Sequence, residues 1–158
     1  MSPRYFANAC MATIGLSDAT PLRLDESCGA LASLRRSIRA FLAFSERVSR
    51  EAGLSVDEYQ ALLAIRSAGE EGVTTSYLAA NLMLKARATL DLVERLGRAE
   101  LVERVRDADD RRRVLVMLSA KGRVVSARLI SRHLLEVRRS APRLVEILSS
   151  LSPAARSN

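Results

Sequence analysis

Chemically reactive side chains are scarce in this sequence. It holds one histidine, His133, and two cysteines, Cys10 and Cys28. With no Cys-x-x-Cys pair, neither a disulfide framework nor a zinc site is indicated. A single imidazole leaves acid–base and metal chemistry poorly supplied. No nucleophile–base pair and no Gly-rich phosphate loop stands out. An enzyme is therefore not expected, nor is a metal or a cofactor. Long apolar runs are missing as well, since none approaches the roughly 18 residues of a membrane span. The mildly apolar stretch YFANACMATIGL, residues 5–16, lacks a clear cationic start and does not read as a secretion signal. A cytoplasmic protein without a membrane partner is expected. Aromatic residues make up 4% of the chain against 48% for all hydrophobic residues. The core must then be built of Leu, Val, Ile and Ala, a composition that leans helical.

Positive charge is what the chain has in surplus. Its 158 residues suit one domain or compact protomer, and they carry a formal net charge of +7. The surplus is uneven. Residues 119–158 hold eight positive and two negative side chains, whereas residues 54–84 hold one positive and four negative. A basic surplus favours a polyanion, either nucleic acid or an anionic membrane surface, and does not choose between them. It is equally the mark of a soluble Arg-rich protein with no such partner.

Residues 1–25, punctuated by Pro3, Gly15 and Pro21, show no periodicity and read as a loose tail. From Glu26 to Arg50 the pattern changes. Leu31, Leu34, Ile38, Phe41 and Val48 recur at three- and four-residue steps, one apolar stripe on a long helix. Gly53 stands where a helix stop belongs. Ser55 and Glu58 have the capping-box spacing and open a second helix with Tyr59, Leu62, Leu63 and Ile65 on its apolar face. Gly69 and Gly72 bracket the next loop. Thr74 is a good N-cap for a short helix from Thr75 to about Leu82. A break at residues 83–85 precedes another helix, about Ala86 to Arg98, with Leu90, Val93 and Leu96 facing inward. Two short helices joined by a tight turn read as a helix-turn-helix, although the usual turn glycine is absent.

A hairpin follows. Leu101 to Arg106 is extended, and Val114 to Leu118 is a strand of β-branched and long apolar residues. Ser119 caps a long helix to about Arg139, with Val124, Ala127, Leu134 and Val137 on one side. Pro142 then restarts a helix in its first turn, carrying Leu144, Val145, Ile147, Leu148 and Leu151. The expected fold is mainly α with a small β-hairpin wing: a winged helix-turn-helix domain over residues 54–118, flanked by long helices. The outer segments, 26–53 and 119–158, carry apolar stripes with no obvious partner in so small a chain. A second copy would bury them, so a homodimer built from both ends of the chain is expected.

The segment LVERLGRAELVERVRDADDRRRVLVMLSAKG, Leu92 to Gly122, resembles the MarR family of bacterial transcription regulators. It is similar to the family's recognition-helix end, wing and following helix start. The wing pattern D-x-x-D-x-R, apolar strand, [ST]-x-K-G falls here on Asp107, Asp110, Arg112 and Ser119 to Gly122. The order of elements agrees from about Glu26 to Leu151. The resemblance implies a homodimer on a pseudo-palindromic operator, most often a repressor, its DNA affinity tuned by a small molecule or by thiol oxidation. Arg112 matches the family position whose side chain enters the minor groove, a role that suits a planar, weakly hydrated cation. Asp110 matches the position that braces that arginine.

Further candidates follow from this frame. Arg111 is placed to meet phosphate. The first turn of the reading helix should face base edges, and it offers Lys85, Arg87, Ala88 and Asp91. Many relatives carry small hydroxyl residues there, so base preference does not carry over. Asp91 either accepts from a cytosine amine or restrains Arg87 or Arg95 at helical spacing. Thr75 and Ser76 either bind phosphate or simply begin their helix. Glu100 stands where the family has glycine, so either the helix stops early or Glu100 is strained. Effector pockets in relatives lie between the DNA-binding lobe and the dimer helices, which brings forward Phe41, Phe44 and Tyr59, with Arg66 as an anchor for an anionic ligand. Nothing local activates Cys28, and His133 reads as a packing or surface residue. The alternative is a winged-helix module that meets a protein partner and no DNA.

Overall fold

The computed structural model describes residues 24–107 and 113–151. Residues 1–23 of the expected tail, Cys10 among them, and the wing-tip residues Asp110, Arg111 and Arg112 lie outside them; Leu24 and Asp25, expected in the tail, begin the first helix. A long helix α1 (Leu24–Glu51) leads to α2 (Val56–Ser67), a two-residue strand β1 (Val73–Thr74), and the short pair α3 (Thr75–Asn81) and α4 (Ala86–Arg98). Strands β2 (Val102–Arg106) and β3 (Val114–Leu118) form the hairpin, and α5 (Ala120–Leu151) completes the chain. The sheet order is β1-β3-β2, antiparallel throughout. The fold is thus mainly α with a wing, as expected. Strand β1 was not: at two residues it is too short to show a period, and it exists because Val73 pairs with Val116 of β3.

Local side-chain chemistry sets the helix starts. At α2 the Ser55 Oγ accepts from the Glu58 N–H at 3.2 Å, and the Glu58 carboxylate accepts from the Ser55 N–H at 2.9 Å, a complete capping box. Thr74 Oγ1 accepts from the Tyr77 N–H at 3.1 Å and starts α3. Ser119 Oγ accepts from the Gly122 N–H at 2.9 Å and starts α5. Gly53, at φ +74°, follows the end of α1.

The core gathers Val48, Leu62, Ile65, Leu78, Leu92, Val93, Leu96 and Val116. Two apolar faces differ from the expected ones. On α4 the buried set is Thr89, Leu92, Val93 and Leu96, while Leu90 is 44% exposed. The spacing 89-92-93-96 is a true helical stripe, and Leu90 lies a residue off it. On α2, Leu63 is 40% exposed and Ala61 and Ala64 are buried instead. This helix touches α1, α5, α3, α4 and β3, so small residues are needed where neighbours approach on more than one side.

The last helix also departs from expectation. It runs unbroken from Ala120 to Leu151 with Pro142 inside it, and there is no restart. Proline removes one backbone bond there, but α1 packs along α5 in the most extensive helix pairing of the molecule. Tertiary packing of this kind overrides the local break.

At its other end α5 is welded to the hairpin. Ser119 donates from Oγ to the Glu100 carbonyl at 2.6 Å, and its N–H donates to the Leu101 carbonyl at 3.1 Å. Lys121 Nζ donates to the Ala99 carbonyl at 2.8 Å. A Cβ on Gly122 would sit 1.9 Å from the Leu101 carbonyl oxygen. The Ser-x-Lys-Gly motif therefore has a physical meaning: each polar member holds the end of α4, and the glycine leaves room for the backbone of Leu101. Gly122→Ala should destabilise the chain by more than about 2 kcal/mol, read as a lowered midpoint in urea unfolding.

Candidate nucleic-acid interface

Helices α3 and α4 form the helix-turn-helix, and the turn between them is made without glycine. Met83 takes the left-handed conformation there, at φ +54°. For a non-glycine residue this costs about 1 kcal/mol or more. The side chain recovers nothing from burial, being 92% exposed. Its neighbours hold the turn. Leu82 and Leu84 pack against the core, and the N–H groups of Leu82 and Leu84 donate to the Leu78 and Ala79 carbonyls at 2.9 and 3.0 Å.

The first turn of α4 faces outward. Lys85 is its N-cap residue and makes no side-chain capping bond. Lys85, Arg87 and Ala88 are exposed and Asp91 is half-buried. Of the partners open to Asp91, the one it takes is Arg87, with Nε to Oδ1 at 3.4 Å. Both groups are solvated, so the pair is worth at most about 1 kcal/mol and gives up its guanidinium easily. Thr75 is half-buried and Ser76 exposed at the start of α3. The cap oxygen on that helix belongs to Thr74.

Arg95, on the same helix, turns to Glu58 at 2.9 Å. One carboxylate thereby caps α2 and anchors α4. Burial works against its ionisation, but the N–H of Ser55 and the guanidinium of Arg95 outweigh it and hold the carboxyl below its ordinary value.

The wing rises on a firm base. The N–H of Asp107 donates to the Arg113 carbonyl at 3.1 Å, and the two side chains pair at 3.5 Å. The hairpin register runs from Arg106↔Val114 to Val102↔Leu118. Sequence reasoning passed over Arg104 and Arg106. They alternate along β2 on one face, both exposed, and Arg104 shares a groove with Arg98 of α4. The signal was present in VERVR, where cations occupy every second position. Glu100 is strained, at φ +58°, while α4 ends at Arg98; both expectations for that position hold together.

A second feature lies beside the helix-turn-helix. A cleft of about 500 Å³ opens between α1, α2, the end of α3 and α5, and Phe41 and Tyr59 line it. His133 lies at its base. Its ring stacks on Tyr59 with centroids 4.2 Å apart and meets Phe41 and Phe44 edge-on at 6.1 and 5.4 Å. Nδ1 lies 2.7 Å from the Leu129 carbonyl, which only accepts, so Nδ1 carries the proton. Nε2 of the neutral ring then accepts from the Ser45 hydroxyl at 3.1 Å. His133 is thus a satisfied packing residue. Burial raises the Tyr59 phenol above its ordinary pKa. Phe44 packs beside the cleft, stacked on Phe41 at 6.4 Å. Arg66 does not line it: the guanidinium donates to the Arg123 carbonyl at 2.8 Å and to Ser126 Oγ at 3.1 Å. Cys28 is exposed on α1. Among the described residues no group of three His, Cys, Asp or Glu side chains could hold a metal ion, and no helix is long and apolar enough to cross a membrane.

Residues 43–129, more than half of the chain, match the family model described as transcriptional regulator SarA/Rot. The chain belongs to that family. The matched segment runs from the last turns of α1 into α5 and so contains the helix-turn-helix and the wing. Solved structures agree in fold. AbsC, a MarR family transcriptional regulator from Streptomyces coelicolor, superimposes with a TM-score of 0.63 at 24% identity, covering 85% of this chain and 95% of its own. CouR from Rhodococcus jostii, solved with p-coumaroyl-CoA, gives 0.61 at 24%, covering 78% and 92%. A variant of MepR from S. aureus, bound to an oligodeoxyribonucleotide, gives 0.60 at 20%, covering 75% and 94%. Among curated protein sequences none matches this chain. The resemblance read from the sequence is borne out: this chain is a transcriptional regulator of the SarA/Rot family, and it has the fold of structures labelled as MarR family regulators.

In this regulator Glu58 governs how α4 is seated. A carboxyl held below its ordinary value in the folded chain stabilises it above the unfolded carboxylate range, and that stabilisation is lost as pH falls through the folded value. Glu58→Gln should cost about 1 kcal/mol near neutral pH. The gap to the unsubstituted chain should close as both are titrated into acid, measured by urea unfolding at a series of pH values.

Proposed function

We propose that this protein is a sequence-specific DNA-binding transcription regulator acting as a homodimer on a pseudo-palindromic operator, most simply as a repressor. The observation that carries the reading is the exposed first turn of α4, with Lys85 and Arg87 free of buried partners, beside a hairpin whose flank bears Arg104 and Arg106. On this reading α4 enters the major groove and contacts base edges through Lys85, Arg87 and Ala88. Asp91 holds Arg87 until DNA displaces it. Thr75 and Ser76 meet phosphate at the start of α3. The wing tip puts Arg112, braced by Asp110, into the minor groove, with Arg111 on the backbone.

Residues 54–118 are then the DNA-binding domain and the outer helices the dimerisation region. Leu31 and Ile38 of α1 and Val145 and Leu148 of α5 stay exposed in the single protomer, a face that a second copy would cover. A small-molecule effector in the cleft would tune DNA affinity. That MepR was solved with an oligodeoxyribonucleotide and CouR with an acyl-CoA supports both parts.

The test is fluorescence anisotropy with a duplex taken from the chain's own promoter. Binding should weaken steeply with salt as counterions are released. Arg112→Ala should lose more than about 1 kcal/mol of binding and remain dimeric in gel filtration. A folded variant that binds as tightly as the parent removes the wing from the mechanism. Absence of binding by the parent at every salt concentration favours the protein-interaction module.

A further inference from the structure

The cleft behind the reading helix has an unusual wall. Among its lining residues there is no Lys, Arg, Asp or Glu. Of the cations next to lining residues in sequence, Arg66 is committed to the Arg123 carbonyl and Ser126 and Arg132 to Glu51 at 2.8 Å, while Arg138, beside Val137, is not among the lining residues. His133 has both ring nitrogens engaged within the protein, so it offers no free donor to an anion. One side of the cleft is apolar, formed by Phe41, Leu134 and Val137. Gln60 of α2 and Asn81 of α3 also line it, and both are exposed. An amide offers both a donor and an acceptor.

We propose that this cleft binds an uncharged aromatic compound, its ring against Phe41, Leu134 and Val137 and a neutral donor–acceptor group on the amides of Gln60 and Asn81. The inference rests on the effector role given to the cleft above and sets its ligand class. An ion of either sign would leave water with no counter-charge in the wall, and that desolvation goes uncompensated. A volume of about 500 Å³ falls within the range of small-molecule sites. The exposed apolar side chains divide accordingly. Leu42, Leu63, Leu134 and Val137 line the cleft, whereas Leu31, Ile38, Val145 and Leu148 do not.

The placement also gives the ligand a handle on the reading helix. Asn81 is the last residue of α3, two positions before the strained Met83. A molecule bridging α5 to Asn81 bears on the turn that sets α4, whose backbone is held in a costly conformation at Met83.

Isothermal titration of the full chain with three probes that share one ring tests this: 2-naphthamide, 2-naphthoate and 2-naphthylmethylammonium. The amide is expected to bind at least about ten-fold more tightly than either ion. Gln60→Lys, at an exposed position, should reverse the order of amide and carboxylate without changing the circular-dichroism melt. Equal or tighter binding of either ion by the parent chain overturns the proposal. So does a folded parent that takes up none of the three, which leaves the cleft to a second copy of the chain. Calorimetry needs no DNA, so a failure of operator binding and a failure of ligand binding are read separately.

Discussion

The approach of the α5 backbone at Gly122 to the Leu101 carbonyl is the constraint on which the rest of the molecule depends. It allows one segment of chain to serve as the end of α4, the root of β2 and the seat of α5. Glu100 accepts a left-handed backbone at φ +58° because the junction leaves it no other course. Its carbonyl is tied to Ser119, its carboxylate lies 3.4 Å from Lys121, and the next residue is buried under α5. Strain of about 1–2 kcal/mol is tolerated where several bonds over-determine the backbone. The consequence is that α4, the wing and α5 share a single joint.

A second tie balances the first. Glu58 caps α2 from one side and grips Arg95 of α4 from the other, so α2 holds α4 near its C-terminal end. The mix of acids and arginines follows from this division of labour. Acids such as Glu58, Asp91 and Asp107 sit beside cations they orient, and Arg104 and Arg106 stay exposed along the wing flank. A local excess of either sign would have lost the geometry or the attraction to a polyanion.

How legible the molecule was in its sequence depended on the range of the interaction concerned. Ser55, Glu58, Thr74 and Ser119 were readable because a cap is made within four residues. The helix-turn-helix and hairpin were readable because their apolar periods survive in short windows. Thr89 was not, because a threonine on an apolar stripe looks polar until its hydroxyl is seen bonded to the Lys85 carbonyl at 3.2 Å. Pro142 misled because the packing that overrides it comes from a helix about a hundred residues earlier in the chain. Arg66 looked like a free cation for an anion, and its partners are 57 and 60 residues away. At the candidate site, Lys85, Arg87 and Ala88 lie exposed together on one turn, and Phe41 and Tyr59 line one cleft. What joins the two regions, through Asn81 and the turn at Met83, left no mark that a periodicity could register.

The unbroken course of α5 has a mechanical consequence. A helix of 32 residues is about 48 Å long at 1.5 Å per residue, and it continues through Pro142. A rotation of about 2° at the Gly122 joint displaces the far end, about 44 Å away, by about 1.5 Å. The reverse holds equally: a sub-ångström shift in how Ile147 and its neighbours are seated reaches the wing root as a change of angle. The length of α5 therefore amplifies displacement from the joint outward and reduces it to a small angle in the other direction.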